Sequence, residues 1–138
     1  MSYKHIMVAI DLAEPSDRVI SHAVSLAKNL DAKLSFVTVD IHYDPDHQVY
    51  DAYGNKMIRE SKEEMAAKLD ELLSSVAYPI ENKVVVMGDV EEKLVETTNK
   101  LHADLLVSGH HHGFWQNWWS SAKKLLNIAT VDLLLISI

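Results

Sequence analysis

The chain has 138 residues, 48% of them hydrophobic, enough for the core of one domain of ordinary size. Thirteen Lys and Arg against 20 Asp and Glu leave a net charge of −7, which argues against a partner held through nucleic-acid phosphates or an anionic membrane surface. With 0 cysteines, disulfides, thiolate catalysis and zinc–sulfur sites are excluded.

The opening MSYKHIMVAIDL does not read as a signal peptide, because its apolar run is short and is broken by Asp11. No segment approaches the roughly 20 apolar residues of a membrane span, and a soluble, cytoplasmic protein is expected. His5–Ile10 reads as a buried strand. From Ser16 to Leu30, Val19, Ile20, Ala23, Val24, Ala27 and Leu30 form one helical stripe, with Pro15 suited to the first turn. Lys33–Val39, rich in β-branched and aromatic residues, predicts a second strand.

Residues 40–54 form a loop long enough to suggest function or mobility. Asn55 is placed to cap a helix reaching Ala77, with Ile58, Met65, Leu69, Leu72, Leu73 and Val76 inward and Pro79 as the stop. Lys83–Met87 predicts a third strand, and Gly88 a turn. Asp89 and Glu92 have the spacing of a capping box for a helix to Leu101. Strands follow at Asp104–Ser108 and Asp132–Ile138, around a loop, HHGFWQNWW, and a helix, SSAKKLLNIA. Lys123 and Lys124 read as a solvated helix face rather than a basic patch.

This alternation predicts an α/β fold. It is a single open parallel five-stranded sheet with helices on both faces, and residues 1–138 form one domain. The very apolar last strand, if at a sheet edge, would expose unpaired backbone. Pairing Asp132 to Ile138 with the same strand of a second copy would cover it, so a homodimer is expected.

Ligands of open parallel sheets bind beyond the carboxyl ends of the strands, where the chain order reverses. Asp11, Asp40, Gly88 with Asp89, and Gly109 to His112 should gather there. The Asp11 carboxylate is suited to an adenine amino group, a ribose or a metal, and equally to satisfying N–H groups of its own turn. His110, His111 and His112, with His42, Asp44, Asp46 and His47, invite a metal reading. Adjacent histidines rarely converge on one ion, so no dedicated metal site is expected. Trp115, Trp118 and Trp119 could stack on a base, but such residues more often pack a loop or form an interface. There is no G-x-x-x-x-G-K-[ST] loop, no G-x-G-x-x-G after the first strand and no G-x-S-x-G elbow. Ser108, Ser120 and Ser121 carry no mark of a nucleophile. A response-regulator receiver is excluded, because Asp11 is not part of an acidic pair and the fifth strand has no lysine.

Taken together, YKHIMVAIDL, AVSLAKNLDAKLSFVTVD, YPI, MGDV and ADLLVSGHHHGFW…SSAKKLLN…VDLLLI resemble the universal stress protein family across nearly the whole chain. The GHH, FW and SSA elements are most similar to its type-A branch in gamma-proteobacteria. The resemblance implies a Rossmann-like fold of the adenine-nucleotide-alpha-hydrolase type, with strand order 3-2-1-4-5, and homodimers joined through the last strand. It also implies a cytoplasmic, non-enzymatic regulator or protective factor in growth arrest and resistance to DNA-damaging agents, phosphorylated on serine or threonine in some members.

ATP-binding members carry G-x2-G-x9-G-[ST] after strand four. Here Gly109 matches the first glycine, His112 stands at the second with Gly113 one place late, and Ser120 and Ser121 stand near the last pair on a shortened spacing. Bulky Trp118 and Trp119 would crowd a triphosphate. The expectation is a degenerate nucleotide site at Asp11, Val39, Gly109, Gly113, Ser120 and Ser121, with no cofactor. The alternative is an ATP-binding regulator using those same residues.

Overall fold

The computed structural model describes residues 3–12, 15–40, 58–110 and 131–137, without the side chains of 58–61 and 110. Its elements in chain order are β1 (His5–Ala9), α1 (Asp17–Leu30), β2 (Lys33–Asp40), α2 (Ile58–Leu73), β3 (Asn82–Met87), α3 (Val90–Leu101), β4 (Leu105–His110) and β5 (Asp132–Ser137). All five strands are parallel and lie in the order β3-β2-β1-β4-β5. The predicted architecture and strand order are therefore what the chain adopts.

The central strands are the continuous apolar runs, as burial on both faces requires. Every residue of β1 is buried, and so is all of β2 beyond Lys33. The pleat sends alternate residues into two cores. Ile6, Val8, Leu34 and Phe36 pack under α1 and α2 with Val19, Ala23, Leu69 and Leu73. Met7, Ala9, Val37 and Val39 pack under α3 with Val90 and Leu94. The edge strands β3 and β5 are more exposed, and Leu134 of β5 stands out at 40% exposure.

Helix ends differ from the predicted ones in three places. Ser16, not Pro15, adjoins the first turn of α1, and Pro15 lies outside the helix. In the described residues α2 stops at Leu73, one turn short of Ala77. There the Ser74 hydroxyl donates to the Glu71 carbonyl (2.7 Å), a side chain competing with the helical ladder. Asp89 is the N-cap of α3, but the capping box does not form: its side chain makes no cap hydrogen bond. Both Asp89 and Glu92 are exposed, so water can satisfy the first-turn N–H groups. Asn55 lies outside the described residues, as does the predicted helix SSAKKLLNIA.

Candidate functional site

The order of the strands creates one crevice. From β1 the chain steps outward through β2 to β3, and α3 then carries it back to the opposite side of β1 for β4 and β5. The reversal falls between β1 and β4, whose carboxyl ends form the topological switch point.

Register places the predicted residues around it. Ala9 is level with Val37 of β2 and with Ser108 of β4. Counting two residues on, Asp11 comes level with Val39 on one side and with His110 on the other, and Gly109 lies one step below. The Ile10 N–H donates to the Val37 carbonyl (2.8 Å), so the ladder holds the chain up to the residue before Asp11. The half-buried Asp11 then begins the turn into α1, where the Ser16 hydroxyl reaches its carbonyl oxygen at 3.4 Å.

The structure thus brings Asp11, Val39 and Gly109 to one edge, with different means of contact. The Val39 side chain is buried in the core beneath α3, so only its backbone is suited to meeting a ligand. Gly109 pairs with Ile136 in the strand. Among the described glycines only Gly88 has a positive φ, +132°. What Gly109 contributes is therefore the room left by a missing side chain rather than an unusual backbone conformation. Gly88 turns the chain from β3 into α3, and its N–H donates to the Asp40 carbonyl (3.2 Å), closing the same edge beyond β2.

Gly113, Ser120, Ser121 and the tryptophans at 115, 118 and 119 lie outside the described residues. The metal candidates His42, Asp44, Asp46, His47, His111 and His112 do too, and His110 is described only as the backbone end of β4. Among the described residues no three His, Asp or Glu side chains gather as a metal site would require.

A polar cluster at the opposite, amino end of the sheet was not anticipated from sequence. His5 Nδ1–H donates to the Leu101 carbonyl (3.0 Å), because a carbonyl can only accept. With the ring neutral, Nε2 then accepts from the Ser35 hydroxyl (2.7 Å), whose oxygen in turn accepts from the Asn82 amide (3.2 Å). This is the geometry of a serine with a base and an orienting acceptor. Ser35 is nevertheless wholly buried, and the cluster ties β1, β2, β3 and α3 together. Nothing in an apolar run such as HIMVA marks its first residue for this role.

An open groove of about 440 Å³ lies between α1 and the end of α2 with the segment after it, lined by Asp17, Ser21, Ser25, Lys28, Ser75 and apolar neighbours. It runs along α1 rather than across the carboxyl ends of the strands, and no convergent set of buried polar groups marks it as a binding site. No helix among the described residues is long and apolar enough to cross a membrane.

Known proteins match this arrangement along its whole length. The model of the universal stress protein family matches residues 2–137. Universal stress protein A of Yersinia pestis is 36% identical over 137 residues, 99% of this chain and 93% of the relative. The Escherichia coli K12 protein of the same name is also 36% identical, over 99% of this chain and 95% of its own. The Haemophilus influenzae homologue is 36% identical over 135 residues. Among solved structures, a universal stress protein in complex with cAMP superposes with a TM-score of 0.68 at 22% identity, covering 99% of this chain and 98% of that one. One from Archaeoglobus fulgidus in complex with dAMP gives 0.62 at 20% identity, covering 99% of each. The sheet order, the crevice beyond β1 and β4 and the full-length similarity lead to one conclusion: the chain belongs to the universal stress protein family.

Proposed function

We propose that the protein is a non-enzymatic, homodimeric regulator or protective factor of the stress response, in the cytoplasm, that does not hold ATP tightly. The carrying observation is the mismatch between the two halves of the switch point. Asp11 and Gly109 stand at its lips, one residue apart in level, as a nucleoside site would need. The sequence that follows Gly109 then reads His-His-His where backbone amides would have to approach phosphates without a Cβ between.

The partner surface in this reading is the aromatic run at Trp115, Trp118 and Trp119, supported by its composition, since clustered tryptophans favour interfaces. Replacing the three tryptophans with serine is expected to abolish protection in a stress-survival assay, with circular dichroism and dimer content unchanged. Full survival with the triple variant would end the assignment.

A second reading has its own observation. Two neighbours in fold were solved with cAMP and dAMP, and here Asp11 comes level with Val39 at the crevice, with Gly109 one step below. This supports an adenine-nucleotide regulator that uses the same residues, with Gly113, Ser120 and Ser121 toward the phosphates.

A further inference from the structure

The amino end of the sheet carries a connection that the strand order alone does not require. Residues 3–5 do more than lead into β1. The Asp104 carboxylate, just before β4, accepts from the backbone N–H of Lys4 (2.8 Å) and of His5 (3.0 Å). Asp104 N–H returns a bond to the His5 carbonyl (2.9 Å). One residue earlier, the Tyr3 hydroxyl passes β4 altogether and donates to the carboxylate of Asp132, the first residue of β5, at 2.6 Å.

β1 and β5 are not neighbours: β4 lies between them, a separation of two strand spacings, about 10 Å. The contact is possible because the Tyr3 ring packs against the core cluster that also holds Leu105 and Ile136. The phenol is held in its protonated, donating form, its pKa raised above 10.0 by the hydrogen bond to Asp132, then by burial, then by the charges of Asp132 and Asp104.

β5 is the strand that needs holding. Among the described residues it is paired on one side only, by β4, and it carries the exposed Leu134. We propose that residues 3–5 form a strap across the amino ends of β4 and β5, with the Tyr3–Asp132 hydrogen bond as its clasp, and that this strap sets the order of the edge strand. A strand that frays at its first residues is a poor template for any further strand, because pairing must first order it. The strap therefore links the start of the chain to the assembly edge. That last step rests on the homodimer reading above, whereas the clasp itself does not.

The test is hydrogen–deuterium exchange on the full chain, comparing wild type with Tyr3→Phe. The variant keeps the ring against the core and removes only the hydroxyl. Exchange of amides at the start of β5 is expected to accelerate roughly two- to tenfold, the range an ordinary net hydrogen bond supports, with β2 unchanged. Asp132→Asn, which removes the charge from the acceptor, should move in the same direction. Unchanged protection of β5 in Tyr3→Phe would overturn the clasp. Sedimentation of the same proteins separates the two ideas. A wild-type dimer that weakens in Tyr3→Phe supports the link to assembly. A wild type that stays monomeric defeats the dimer reading and the link with it, while the exchange result still decides the clasp.

Discussion

His5 shows how one polar residue becomes obligatory in an apolar strand. Its ring has a partner on each nitrogen, and the chain of donors runs in one direction, from Asn82 to Ser35 to His5 to the Leu101 carbonyl. Removing the middle member leaves a buried nitrogen without a donor. Ser35→Ala is therefore expected to destabilise the fold by about 1–3 kcal/mol, the desolvation of one unsatisfied buried group, as urea denaturation would show. A loss of only a few tenths would mean that water or a rotated ring replaces the hydroxyl. Sequence could not reveal this cluster, because its members lie 30 to 96 residues apart and meet only through the sheet. Asp11 was legible for the opposite reason: a carboxylate directly after a buried strand is a local pattern, and its position follows from the strand alone.

At the scale of elements, α1 and α3 end alike. Asp31 after α1 and His102 after α3 both take the left-handed conformation, with φ of 51° and 56°. In each case the next N–H reaches back into the last turn: Ala32 to Ala27 (3.0 Å) and Ala103 to Thr98 (3.1 Å). This is the geometry in which glycine is preferred, and the sequence has Asp and His there instead. A branched-off Cβ in that region is strained, although glycine gives back some of the gain by loosening the unfolded chain. His102→Gly should consequently stabilise the protein by about 0.5 kcal/mol, a small rise in the urea midpoint. A fall in the midpoint would show that the exposed imidazole makes a compensating interaction.

Both stops, at Leu30 and Leu101, were legible from where the apolar stripe and the helical pattern run out, although no Gly follows either helix; the left-handed Asp31 and His102 that cap them were not. The capping box at Asp89 and Glu92 was foreseen and does not form, since an exposed terminus has water as an alternative partner. Pattern at that position indicated where the helix begins but not which groups bond.

On the scale of the whole molecule, alternation of strand and helix led to the parallel sheet, and the resemblance supplied the order in which its strands lie. The order then fixes the crevice between β1 and β4, so the place of the candidate site follows from topology before any side chain is considered. What topology does not fix is occupancy, which depends on how closely backbone amides after Gly109 can approach a phosphate. Members of one fold family can differ on this point while sharing every strand, and fold alone does not assign the ligand.

The measurement that decides the matter is calorimetric titration of nucleotide-free protein with ATP and magnesium, run beside an Asp11→Ala variant. The account predicts no saturable heat up to millimolar ATP in either protein. Saturable micromolar binding by the wild type, lost in Asp11→Ala, would contradict it and establish the crevice as a working nucleotide site.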